Sequence, residues 1–140
     1  MTSISGFPGT RTRPIYDSTD SLLRFAMRAD ATLTGLMGFA VAVAADPVSR
    51  LTGLTSGQEY SMGAFFVLYG LAVFSLAALP NLRRAGIGVV AANLVYTVAA
   101  IAAAELVPMT ATGVAATLAS GVYTAAFAGL QYLGVRRVAA

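Results

Sequence analysis

Few side chains in this chain can do chemistry, and nearly all of them sit inside long apolar runs. Cysteine, histidine, lysine and tryptophan are absent. That excludes disulfides, thiol nucleophiles, His-ligated zinc or haem and a Schiff-base lysine. What remains within the apolar runs is Asp30 with Thr32 and Thr34, then Tyr69 and Ser75, then Asn93, Tyr96 and Thr97, and last Thr117, Ser120, Tyr123, Thr124 and Gln131. An acid in such a run is a candidate proton carrier. Because Asp30 follows Arg28 so closely, an ion pair with Arg28, Arg83 or Arg84 at the rim of the apolar layer is the favoured expectation. Asn93, Tyr96 and Thr97 fall on one helix face at three- and four-residue spacing. They either line a polar pocket or bond across helices to fix register, and the second is favoured. Arg28, Asp30, Asn93, Tyr96 and Gln131 are therefore the candidate polar site. No acid, base and nucleophile converge, so neither an enzyme nor a bound metal or cofactor is expected.

The elements that must position these groups follow from composition. Of the 140 residues, 57% are hydrophobic and only 11% charged, too apolar for one water-soluble domain of this size. The apolar residues come in uninterrupted runs rather than periodic stripes, the pattern that lipid selects. Residues 1–20 are rich in Ser, Thr, Gly and Pro and predict a flexible cytoplasmic tail. Ser18, Thr19 and Asp20 offer caps for a first helix. Spans are expected over about 26–45, 60–79, 85–104 and 110–133, with an external loop from Asp46 to Glu59 and a short external turn from Glu105 to Pro108. The expected architecture is all-α, a four-helix transmembrane bundle over 21–137.

All nine basic residues are arginines, and they set the orientation. With both termini cytoplasmic, Arg50 alone lies outside, and Arg83, Arg84, Arg136 and Arg137 anchor the inner face of a plasma (inner) membrane. That placement accounts for the basic pI without nucleic acid. Ala42-Val43-Ala44 has the form of a signal-peptidase site, but a charged region of about thirty residues that includes Asp30 is unlike a secretory signal. An echo between the halves, Ala45-Asp46 against Ala104-Glu105 and arginine pairs closing each half, has the form of a parallel repeat of two helices.

In lipid, helices associate through close backbone approach and a few polar bridges. Gly113, Thr117, Gly121, Ala125 and Gly129 recur every four residues and are the strongest packing signal, with weaker ones at Gly35 and Gly38 and at Gly86 and Gly88. Arg28-Ala29-Asp30, Ala92-Asn93-Leu94-Val95-Tyr96 and Leu130-Gln131-Tyr132-Leu133-Gly134-Val135-Arg136-Arg137 together resemble a group of short four-span membrane proteins of GC-rich, actinobacterial-type bacteria. The resemblance covers roughly 22–137 and implies the architecture without an activity. The favoured expectation is an accessory or scaffolding subunit that packs in the bilayer against another membrane protein or further copies of itself. A minimal oligomeric transporter or channel with Asp30, Asn93, Tyr96 and Gln131 along its path, or a lipid-binding protein, are the alternatives.

Overall fold

The computed structural model describes residues 19–138. Most of the expected tail, with Arg11 and Arg13, lies outside them. Among the described residues the chain is all-α, with α1 Ser21–Val43, α2 Ala45–Thr52, α3 Ser56–Leu76, α4 Arg83–Leu106 and α5 Ala111–Arg137. Helices α3, α4 and α5 are long and apolar enough to cross a bilayer, and a fourth crossing counts when α1 and α2, bent by 92° at Ala44, are taken as one broken span.

Local chemistry explains the boundaries. The first helix starts after Asp20 as expected, but the Asp20 carboxylate makes no cap; it takes a 2.8 Å ion pair from Arg24. The expected loop from Asp46 to Glu59 instead contains a whole helix and the start of another. Helix α2 closes with Gly53 in the left-handed conformation at φ 83°, which costs glycine nothing. Thr55 and Gln58 then form a reciprocal capping box, so that α3 begins ahead of the apolar run and takes in Glu59. Pro80 and Asn81 separate α3 from α4. Thr110 caps α5 by accepting from the Gly113 amide at 3.0 Å.

The helices associate as two antiparallel pairs, α1 with α3 and α4 with α5, joined chiefly along α1 and α5. Each pair corresponds to one half of the sequence echo. Glycine makes the first pair close. A Cβ on Gly63 would lie 2.5 Å from the Gly38 carbonyl oxygen, and one on Gly70 2.6 Å from that of Ala31. At the end that carries Arg24, Arg83, Arg84, Arg136 and Arg137, arginines staple each pair to itself. Arg24 donates to the carbonyls of Ala77 and Leu79 at 2.6 and 3.0 Å, and Arg83 donates to that of Val135 at 3.2 Å.

At the opposite end α2 lies across the molecule and ties the two pairs together. Thr110 donates through its amide to the Thr52 carbonyl at 2.9 Å and through its hydroxyl to that of Leu51 at 2.6 Å. Large apolar side chains such as Phe25, Leu36, Phe65, Leu68, Val98 and Val122 point outward along the helices. The buried core is small and concentrated toward the arginine end, where Leu23, Met27, Val73, Leu82, Val89 and Val135 meet.

Candidate functional site

One layer above that core, the junction of the two pairs is polar. Asp30 is fully buried, and both its oxygens are taken by neutral donors. Asn93 Nδ2 and Gln131 Nε2 each donate to Oδ2 at 2.9 Å. The hydroxyls of Thr34 and Tyr123 donate to Oδ1 at 2.9 and 3.2 Å and lie 3.0 Å from each other. Behind this shell, Asn93 Nδ2 also reaches Gln131 Oε1 at 2.9 Å, and the Tyr69 hydroxyl donates to Asn93 Oδ1 at 3.0 Å. All four long helices contribute: α1 the acid, α3 the tyrosine, α4 the asparagine, α5 the glutamine and second tyrosine.

Periodicity brings these residues together. Each helix turns a seam of three- and four-residue steps to the junction: Leu23, Met27, Asp30 and Thr34 on α1; Tyr69, Val73 and Ala77 at the end of α3; Gly86, Val89, Asn93, Thr97 and Ala100 on α4; and Thr124, Ala128, Gln131 and Val135 on α5, with Tyr123 beside it. Such steps keep one face inward along an α-helix. Donors arranged around an acceptor match an ionised carboxylate, which accepts on both oxygens. Hydrogen bonds to a charged group contribute about 1.5–3 kcal/mol each, and an unpaired buried charge costs more than they supply singly, so the shell has to be complete.

The expected ion pair to Arg28, Arg83 or Arg84 is not formed. Arg28 points outward, Arg83 bonds a carbonyl of α5, and among the described residues the salt bridge to be found is Arg24 with Asp20. Arg28, two residues from Asp30, leaves α1 on another side; for Arg83 and Arg84 the reason is depth. At about 1.5 Å per residue, Asn93 stands about 14 Å along α4 from Arg84, and Gln131 about 8 Å along α5 from Arg136. Asp30 is level with them, well past the reach of the rim arginines.

Of the other sequence-selected residues, Asn93 and Gln131 join Asp30 directly. Tyr96 does not; its hydroxyl bonds Ser120 at 2.9 Å while its ring packs on Phe66, centroids 5.6 Å apart. Thr97 meets Thr124 at 2.7 Å. Arg136 lies over the Tyr132 ring at 5.9 Å.

The α5 small-residue stripe divides. Gly113 abuts the Thr52 carbonyl and Gly121 the Ala100 side chain and the Thr97 backbone, whereas Ala125 is exposed and Gly129 has nothing within 4 Å. A repeat of four residues winds about 40° per step around a 3.6-residue helix, which carries Gly129 roughly 160° from Gly113. The tight glycine seam is instead Gly38 and Gly63 with Gly35 and Gly70. Gly88 also faces open space, while Gly86 packs on Leu23 and Val135.

Two features escaped the sequence reading. Glu59 is a second buried acid, 2% exposed and accepting from the Thr52 hydroxyl at 3.1 Å; Thr55 and Gln58 in capping-box spacing were the signal that it belongs to a helix rather than a loop. An open apolar groove of about 250 Å³ also runs between α1 and α3, floored by Gly35 and Gly70 and walled by Phe39 and Phe74. No protein-family model, curated protein or solved structure matches the chain.

Proposed function

We propose that this chain is a four-span bundle of a bacterial inner membrane with both termini cytoplasmic, and that it works as a minimal proton-coupled transporter whose coupling acid is Asp30. The observation that supports this reading is the junction itself: a fully buried carboxylate, surrounded by neutral donors from both helix pairs. If these contacts served only to fix register, an asparagine at 30 would serve as well. A carboxylate adds one property, the ability to change charge in place. Protonation alters the strength of the hydrogen bonds by which Asn93, Gln131 and Tyr123 of one pair hold Asp30 of the other, and rocking of one helical repeat against another around a central site is how many small-solute transporters alternate their access. The orientation rests on the arginines, which gather at one end of the helices.

The chain has no cysteine, so spin labels can be placed at will. With labels at Leu76→Cys on α3 and Ile87→Cys on α4, both exposed, the distance distribution in nanodiscs is expected to shift as the pH is lowered, and Asp30→Asn is expected to abolish the shift. A distribution indifferent to pH, or an unchanged response in Asp30→Asn, refutes the coupling role.

A second reading, an accessory subunit, is favoured by the α1/α3 groove, whose glycine floor and phenylalanine walls suit an apolar helix of another membrane protein. Gentle solubilisation from the native membrane followed by native mass spectrometry separates the two, since a stoichiometric foreign subunit supports the accessory role and a chain free of one supports the transporter.

A further inference from the structure

The surroundings of Asp30 are unlike on its two sides. One turn toward the arginine end of each network residue stands an apolar one: Met27 below Asp30, Val73 below Tyr69, Val89 below Asn93 and Val135 below Gln131. These four belong to one buried cluster with Leu23, Ala77 and Leu82. The layer is closed by backbone as well, since a Cβ on Gly134 would lie 2.7 Å from the Leu23 Cα and one on Gly86 2.6 Å from its side chain. Toward the α2 end three of the seams carry hydroxyls instead: Thr34 one turn on from Asp30, Thr97 and Tyr96 one turn on from Asn93, and, beyond Ala128, Thr124, Tyr123 and Ser120 two to three turns on from Gln131, while α3 presents Phe66 one turn on from Tyr69.

The two carboxylate oxygens differ in the same sense. Oδ2 meets only amide N–H groups, which donate and do not relay a proton. Oδ1 meets only hydroxyls, each of which can donate and accept at once. Both hydroxyls approach from the α2 side, since Thr34 and Tyr123 lie nearer that end than Asp30 and Gln131 do.

Building on the coupling role assigned above to Asp30, we propose that in this conformation the carboxylate exchanges its proton with the α2 side alone, through the Thr34 and Tyr123 hydroxyls onto Oδ1, the arginine side being sealed by the Leu23, Met27, Val73, Val89 and Val135 layer. In the step, the Tyr123 oxygen takes a proton arriving from water on the α2 side while its own phenolic proton passes to Oδ1. The tyrosine is left as it began and Asp30 becomes neutral. The titratable groups facing Asp30 from the helices packed on it are Tyr69 of α3 and Tyr123 of α5; α4 presents Asn93, and on α1 Arg28 turns away. Tyr69 donates to an amide oxygen and not to the carboxylate, which leaves Tyr123 as the phenol on the route.

The test uses the full chain in lipid vesicles with one orientation, established by protease access to a C-terminal tag, and follows the carboxyl infrared band that Asp30→Asn removes. A pH jump on the α2 side is expected to change the band at once, and a jump confined to the arginine side to leave it unchanged until an ionophore equilibrates the two. The double variant Thr34→Val with Tyr123→Phe keeps side-chain volume and is expected to slow the response about a hundredfold, the low end of what a positioned proton-transfer group contributes. A band that answers to the arginine side, or a double variant as fast as the parent, overturns this proposal and leaves Asp30 as the coupling acid. The complete lack of a titrating band that depends on Asp30 overturns both. The sidedness measurement needs no substitution and decides the matter even where the double variant does not fold.

Discussion

Replacing Asp30 by leucine or by asparagine gives two very different expected outcomes from one geometry. In Asp30→Leu the Asn93 and Gln131 N–H groups that converge on Oδ2 at 2.9 Å lose their acceptor in a fully buried position. Each orphaned donor costs about 1–3 kcal/mol. Because the separated helices in a micelle or bilayer also find partners for such groups, the lower half of the sum applies, a loss of about 2–4 kcal/mol. In Asp30→Asn the new amide can turn its oxygen to Asn93 and Gln131 and its NH2 to Thr34 and Tyr123, whose hydroxyls change from donor to acceptor. No donor is orphaned. Charged hydrogen bonds become neutral ones, and the removal of a buried charge offsets the difference, so stability stays within about 1 kcal/mol of the parent. Reversible denaturant unfolding in mixed micelles, followed by tyrosine fluorescence, reads both variants. Equal destabilisation in the two would refute the donor count, because it would mean that the negative charge itself, rather than the acceptor it provides, holds the junction.

Two further outcomes follow from the packing. Gly63→Leu is expected to destabilise by about 1–3 kcal/mol, since its Cβ would meet the Gly38 carbonyl and the Ala42 backbone, whereas Gly129→Leu is expected to leave the unfolding midpoint unchanged because nothing stands within 4 Å. Thr110→Ala removes both the α5 cap and the hydroxyl bond to Leu51; a loss of about 0.5–2 kcal/mol by the same unfolding measurement, with faster amide exchange at Gly113, is the expected result.

The helices were legible because lipid-compatible runs need no tertiary information: uninterrupted apolar residues, Pro80 with Asn81, and the arginine pairs mark most boundaries to within a few residues. The region from Asp46 to Glu59 reads as a loop because its composition is polar, and composition does not show the short helix that buries Ala45 and Thr52 and leaves Leu51 exposed. Within the site, Asp30, Asn93 and Gln131 stood out because each is costly to leave facing lipid. Their partners Thr34, Tyr69 and Tyr123 did not, since a hydroxyl in an apolar helix can bond its own backbone and so carries no sign of a long-range contact. Depth along the helix was the missing quantity for Asp30. Counted from Arg28 it lies at a rim, and only the positions of Asn93 and Gln131 on the facing pair show how far in that level is. The every-four stripe on α5 packs within the chain only at Gly113 and Gly121 for a geometric reason, because a face is kept by steps that average near 3.5 residues and not by steps of four.

The crosswise position of α2 has a mechanical consequence. Its carbonyls hold Thr110 at one extremity of the bundle, and Gly113 is pressed against the same strand of backbone. At the other extremity the segment from Ala77 to Leu82 carries the chain from one pair to the other, so the two pairs are held at both ends, by the hydrogen bonds at Thr110 and by the chain itself beyond α3. Between the two fastenings the pairs meet at the Asp30 junction, so a displacement of one pair against the other is borne by the hydrogen bonds of Asn93, Gln131 and Tyr123 to that carboxylate.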